Sequence, residues 1–406
     1  MNSKPLNTLK VLVIYKGPYP FGPVYTHRVH HICKGLVENG VEVELLIPIR
    51  TEKYGNVINS EISGIHEGVY FRYISKKTQR AKSFISRHFN DFWCQIKTIF
   101  YVLTNRFNSK ITLIIGPSFD FRLFLPIAIK LTESKAVLEI NEYPFVNHKP
   151  SLLHKIKSFI FLKIIIPFYD GFIVISEELA NFLIKFKSKR ATIIKVPILG
   201  SVYPSSNSKY PPLDTPYIMH AGSLFERKDG ILGMIEAFGI ASSKLDFPVK
   251  FVFTGFLEFS PDAEAIKQLI KKYAINEKII FTGYLSRSEL INYLRNCSLA
   301  IINKNDNKQN RYCFATKLAD YLFNAIPVII TDVGEASKYL SDGINAYIVK
   351  PGDPNLIAEK IIRALTCPDE RIKIGLEGRI LAEREFNYRT QAQYIVNYFN
   401  NLCTVS

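Results

Sequence analysis

Three stretches in the second half of the chain gather side chains suited to an anion. "GSLFERKDG" (222–230) ends a strand-like run at Gly222 and puts Arg227 and Lys228 just before a helix starting near Asp229. Two cations beside the free amides of a helix start suit a diphosphate. "CFATKLADYLFNAIPVII" (313–330) reads as a helix beginning near Thr316, then a buried strand. The first amides of that helix, at Thr316, Lys317 and Leu318, are unpaired donors; the Thr hydroxyl adds another and Lys317 adds charge. Asp320 follows Thr316 by four residues, on the same helix face. A phosphate on the amides would leave that carboxylate one turn away, able to accept from ribose hydroxyls. "FTGYLSRSEL" (281–290) ends a strand at Gly283, continues with Tyr284 and Leu285, and offers Ser286 as a helix cap. Its loop suits a nucleobase edge, with Tyr284 beside the ring. Each stretch also has a plainer reading: a solvated basic turn, a capped helix with an acid set against its dipole, and an ordinary strand–helix connection.

The first half offers two more candidates. In "GPYPFGPVYTHRVH" (17–30), Gly17 and Gly22 allow close backbone approach, and His27 and Arg28 sit on the helix that follows. The glycines do not fit G-x-G-x-x-G, so a dinucleotide is a poor match and an acceptor-facing loop a better one. "EINEYP" (139–144) sets Glu139 and Glu142 at the carboxyl end of a strand, where acid or base groups are often found. Pairing with nearby Lys or Arg is the alternative. No Walker loop, D-x-D, H-E-x-x-H or G-x-S-x-G is present. "NKNDNKQN" (303–310) has the polarity of a calcium loop but lacks its Gly and closing Glu. The expectation is therefore no metal and no cofactor.

The elements that must position these residues alternate in type. Strand candidates at 10–15, 41–47, 68–74, 111–116, 136–140, 171–176 and 191–196 have helical stretches between most of them. In one of these stretches Ile85, Phe89, Phe92, Ile96, Ile99, Leu103 and Phe107 recur in steps of three and four, giving a single apolar face. "GSVYPSSNSKYPPLDTP" (200–216) has no periodicity and reads as a linker. Beyond it strands recur at 217–222, 250–255, 278–283, 298–302, 327–330 and 346–349. This is an α/β pattern of two Rossmann-like domains, 1–207 and 208–386, facing across a cleft where the strands' carboxyl ends meet. A last helix in 387–406, with Ala392, Ile395, Val396 and Phe399 on one face, could pack back on the first domain. A length of 406 residues likewise favours two domains.

In this order and spacing the motifs resemble the retaining GT-B glycosyltransferases of family 4, glycosyl transferases group 1. The matching stretches are "GSLFERKDG", "FTGYL", "FATKLADYLFNAIPV" (314–328) and "VGEASKYLSDGINAYIVKPGD" (333–353). The resemblance implies a sugar transferase that uses a nucleotide-sugar, UDP- or GDP-linked, without a metal. It assigns the donor diphosphate to Lys228 with Arg227, the base to Tyr284 and Leu285, phosphate to Thr316, Lys317 and Leu318, and ribose to Asp320. Positioned cations would stabilise the departing nucleoside diphosphate. Lys228 and Glu142 are the catalytic candidates, Gly22 joins the donor set, and His27 and Arg28 face the acceptor. The sequence departs from the pattern in several places: Ser223 stands where an Arg is usual, Tyr312 where the first Glu of E-x7-E falls, and Ala325 where Gly is customary.

The net charge of +16 is uneven. Residues 1–200 hold 28 Lys and Arg against 14 Asp and Glu, a balance of +14, which leaves +2 for the remainder. The implied acceptor domain thus favours an anionic partner: a lipid-linked or glycan acceptor, or an anionic membrane surface touched by 75–89 and 148–168. The scattered cysteines and the absence of a signal peptide or a spanning segment suggest a cytoplasmic protein, peripheral at most. Charge alone also fits a nucleic-acid binder, but two long α/β domains do not, and no nucleic-acid partner is expected. A sugar-nucleotide epimerase of the same fold and a non-catalytic nucleotide-sugar binder remain alternatives.

Overall fold

The computed structural model describes residues 8–116, 124–145, 151–202 and 212–404. The central part of the expected linker, 203–211, lies outside the described residues, as do 148–150 of the second basic segment. The chain divides into two units, Met1–Pro197 with Tyr388–Ser406, and Ile198–Asn387.

The first unit runs β1 (Lys10–Tyr15), α1 (Val24–Glu38), β2 (Glu42–Ile47), β3 (Ser63–His66), β4 (Val69–Tyr73), α2 (Phe84–Leu103), β5 (Ile111–Ile115), α3 (Leu125–Lys130), β6 (Lys135–Ile140), α4 (Leu152–Phe159), β7 (Gly171–Val174), α5 (Glu177–Ile184) and β8 (Thr192–Lys195). The second runs β9 (Tyr217–His220), α6 (Glu226–Asp229), α7 (Ile231–Ser242), β10 (Lys250–Phe253), α8 (Ala263–Lys272), β11 (Ile279–Phe281), α9 (Arg287–Asn296), β12 (Leu299–Ile302), α10 (Lys308–Arg311), α11 (Lys317–Phe323), β13 (Val328–Thr331), β14 (Tyr347–Val349), α12 (Pro354–Thr366) and α13 (Pro368–Glu385). The chain then returns to the first unit as α14 (Tyr388–Thr404).

The sheets are ordered β3-β4-β2-β1-β5-β6-β7-β8 and β11-β10-β9-β12-β13-β14. Every pairing is parallel except β3 with β4. β5, β7, β9, β12 and β13 are buried along their whole length, which explains their unbroken apolar runs: both sheet faces are covered. In each sheet the winding reverses once, between β1 and β5 and between β9 and β12. Crevices for ligands open at such reversals, beyond the carboxyl ends of the strands. Both units are Rossmann-like in this sense.

Two local expectations fail. β3 went unread because its four residues alternate between exposed and half-buried. Its signal was the two-residue turn Glu67-Gly68, both at positive φ, which suits a tight hairpin. The second failure concerns α2. Its packed side is Cys94, Thr98 and Val102; of the periodic large residues Ile85, Phe89, Phe92, Ile96 and Leu103 are exposed and Ile99 is half-buried. Smaller side chains let the helix approach the sheet, where Tyr101 donates to Glu44 at 2.6 Å.

α14 lies against α1 through close contact: a Cβ at Gly35 would overlap that of Ala392. At its other end the Tyr398 hydroxyl accepts from the Phe172 amide (3.1 Å) and donates to the Thr192 carbonyl (3.0 Å).

Ala325, just past the C-cap of α11 and where Gly is customary, has φ +54°. A Cβ in that left-handed region costs about 1 kcal/mol relative to Gly. Ala325→Gly should therefore raise stability by about 1 kcal/mol in urea denaturation; no gain would mean that the backbone there is unstrained.

Candidate functional site

In the second unit the β9/β12 reversal collects a buried charge cluster. β9 ends at His220, and the chain turns through Gly222 and Ser223 into the single turn of α6, ending at Asp229. Asp229 is 2% exposed. Its Oδ1 accepts from Lys304 Nζ at 2.7 Å and from Lys317 Nζ at 3.2 Å, and its Oδ2 accepts from the Ser223 hydroxyl. Lys304 follows the end of β12, and Lys317 opens α11. One carboxylate thus faces two ammonium groups, leaving one positive charge in excess.

The neighbours set the protonation states. His220 Nδ1 faces the Ile301 carbonyl at 2.9 Å and so carries the ring proton. Nε2 is then the acceptor for Lys317 Nζ at 3.3 Å. Burial, with Lys317 beside it, lowers the His220 pKa to about 3, so the ring is neutral. Burial also lowers Lys317 to about 8, though Asp229 works against this. Burial would raise the Asp229 carboxyl, but Lys317 and Lys304 outweigh it and hold it well below the usual carboxylate range.

The cluster is held from three sides. Tyr321, one turn after Lys317, accepts from the Ala221 amide at 2.8 Å and fixes α11 against the β9 turn. Lys317 reaches its place because Gly222 has no side chain; a Cβ there would overlap Nζ. The polar loop after β12 holds α6: Asn303, Asn305 and Asn307 donate to the carbonyls of Gly230, Glu226 and Arg227 at 2.7, 2.8 and 2.9 Å. The calcium-like composition of this loop is thus a set of amide clasps on the basic turn. Gly230, at φ +57°, sits where a Cβ would strike Asn303.

The sequence candidates of this unit fall as follows. Lys228 is half-buried; its carbonyl accepts from Lys304 Nζ at 2.9 Å, and its charge helps lower Lys317. Arg227 is exposed. Thr316 stands at the start of α11 without a side-chain cap bond, so the simple capping reading does not hold. Of the three expected donors, the Leu318 amide is already bonded to the Ala315 carbonyl at 2.9 Å, and its side chain is core. Asp320 is half-buried on the same short helix. Tyr284, which is exposed, and Leu285 follow β11, at the same sheet end but two strands from β9. Near Tyr312, where a Glu was expected, the amide of buried Glu335 bonds to the Cys313 carbonyl at 3.3 Å. Sequence reasoning missed Lys304, Asp229 as a counter-ion, His220 and Tyr321. Their signal was position alone, at or just past the carboxyl ends of β9 and β12 or one turn after Lys317.

The first unit has its own site at the β1/β5 reversal. Arg28 is 4% exposed, not open to an acceptor. Its Nε donates to Glu139 at 2.7 Å, and its two terminal nitrogens donate to the Pro197 and Val196 carbonyls. Tyr25 donates to the other Glu139 oxygen at 3.1 Å. Glu139 is therefore a structural counter-ion, whereas Glu142 is exposed on the loop beyond β6. Between them, Asn141 is 6% exposed, and among the described residues neither its amide nitrogen nor its oxygen has a hydrogen-bond partner. Leaving such a group unpaired costs about 1–3 kcal/mol, and a ligand can supply what is missing. His27 is half-buried on α1. Gly22 makes room for the chain itself, since a Cβ there would overlap the Thr26 hydroxyl.

Residues 205–380 match the family model described as glycosyl transferases group 1. No curated protein matches the sequence. Several solved structures share the fold. Sucrose-phosphate synthase from Thermosynechococcus elongatus aligns over 98% of this chain and 100% of its own, with TM-score 0.71 and 15% identity. A glycosyltransferase from Rickettsia africae aligns over the same shares, with TM-score 0.70 and 15% identity. HepE from Anabaena, in complex with UDP and glucose, aligns over 97% and 100%, with TM-score 0.67 and 14% identity. The chain therefore has the GT-B fold, two Rossmann-like domains in tandem.

Removing Arg28 leaves buried Glu139 without its ion-pair partner inside the first unit, so Arg28→Ala should cost about 3–5 kcal/mol in urea denaturation. A loss below about 1 kcal/mol would mean that the pair is not structural.

Proposed function

We propose that this chain, with a glycosyl transferases group 1 match over 205–380, transfers a sugar from a nucleoside diphosphate sugar to a glycan or lipid-linked acceptor. The observation that carries this reading is the buried Lys304–Asp229–Lys317 cluster at the β9/β12 reversal. Its excess positive charge, next to Lys228, suits a diphosphate. In this reading Lys228 and Lys317 meet the donor phosphates and stabilise the charge that develops as the nucleoside diphosphate leaves. Lys304 and Asp229 hold them in place. Tyr284 and Leu285 serve the base and Asp320 the ribose. HepE, whose structure holds UDP and glucose, supports a UDP-linked donor.

On the acceptor side, Asn141 is a buried amide with no hydrogen-bond partner among the described residues, and Glu142, one residue on, is a carboxylate open to solvent. We assign acceptor hydroxyls to Asn141 and the acid/base role to Glu142, with His27 alongside. Retention of configuration and a role in surface glycan synthesis follow from the family resemblance alone.

Thermal shift tests the donor site. UDP or GDP should raise the melting temperature, and Lys228→Ala should abolish the rise; no shift with any nucleoside diphosphate would contradict the reading.

Acidity gives a second test. Lys317 binds its proton less tightly folded (about 8) than unfolded (10.5), so its charge costs stability at neutral pH, a cost lifted as pH rises from about 8 to 10.5. A bound diphosphate favours the charged form. Nucleoside diphosphate affinity should therefore fall above about pH 8, by at most about tenfold per pH unit. Titration calorimetry should show this fall for the wild type and not for Lys317→Met.

A further inference from the structure

We propose that the outward faces of α2 and α4 seat the first unit on an anionic lipid surface. Phe84, Ile85, Phe89, Phe92, Trp93 and Phe100 of α2 are 47–79% exposed. On α4, Leu152, Leu153, Ile156 and Phe159 are 47–74% exposed, and no residue of that helix is buried. Patches of this kind mark interaction sites.

The two helices lie on one side of the sheet. The steps β4 to β5, β5 to β6 and β6 to β7 all run the same way along it, so right-handed crossovers put α2, α3 and α4 on one face. α1 joins strands stepping the other way and falls on the opposite face. α3 bridges the pair, touching α2 and the turn at 166–168.

Charge selects the occupant. From Lys76 to Lys110 there are eight Lys and Arg and one acid, Asp91; from 151 to 168 there are three Lys and no acid. Arg80, Lys82, Lys97, Lys155, Lys157 and Lys163 are exposed. A basic rim around an aromatic face complements anionic headgroups over acyl chains. A second copy of the chain would bring two rims of the same sign together. No helix among the described residues is long and apolar enough to cross a membrane, so the contact is with the surface. None of this depends on the donor site.

Trp93 is the only tryptophan and reports directly on the contact. The full chain is mixed with phosphatidylcholine vesicles, with or without phosphatidylglycerol. Co-sedimentation and a blue shift of Trp93 emission are expected with phosphatidylglycerol, both weakened by salt, and little of either without it. The triple variant Phe89→Ser, Phe92→Ser, Phe100→Ser should bind on the order of tenfold less, with melting temperature and UDP response unchanged. Should that variant misfold, Lys97→Glu with Lys157→Glu should also weaken binding. No binding to phosphatidylglycerol vesicles, equal binding without that lipid, or undiminished binding by the folded variants would overturn the proposal. So would self-association through this face with no vesicle binding.

Discussion

The second unit is organised around one carboxylate shared by two ammonium groups. Without Asp229, Lys304 and Lys317 would be two like charges in a buried place, and each would be expelled or neutralised. With it, both ammonium groups have a counter-ion beside Lys228, and neutral His220 accepts from Lys317. Much local geometry serves that arrangement: the missing side chain at Gly222, the left-handed turn at Gly230, the Tyr321 anchor and the Asn clasps after β12. The result is positive charge placed by its neighbours before any ligand arrives, which is what electrostatic stabilisation of a leaving diphosphate requires.

The first unit applies similar physics to a different end. Its buried pair, Arg28 with Glu139, is matched one to one and closed further by carbonyls and a tyrosine, so it leaves no charge to offer. It joins α1, β6 and the segment after β8. What it leaves open nearby is polar and uncharged, the side chain of Asn141. A charged cluster in one unit and an unsatisfied amide in the other fit a charged donor and a hydroxyl-bearing acceptor.

The alternation of strands and helices was legible because parallel strands buried on both faces must be apolar throughout, and their bounds came within a residue or two. β3 was not, since a four-residue edge strand carries little periodic signal. The proposed donor site was legible in part. Lys228 and Lys317 stood out as cations near helix starts, but Lys304 hid in a loop whose polarity suggested a metal, and Asp229 looked like a helix start. A counter-ion at 229 for a lysine at 304 is a tertiary fact with no local mark. Arg28 was misjudged for a related reason: a basic residue on an amphipathic helix looks exposed until its buried partner, over a hundred residues away, is known. α2 shows the limit of periodicity, which identifies a large apolar face but cannot say that a smaller one packs instead.

The central claim is that the Lys304–Asp229–Lys317 cluster marks the place of the donor diphosphate. A crystal structure of the chain with UDP tests it most directly. The account predicts the diphosphate beyond the carboxyl ends of β9 and β12, its oxygens about 2.7–3.2 Å from the ammonium groups of Lys228 and Lys317. A diphosphate bound elsewhere, with the cluster still closed on itself, would contradict it.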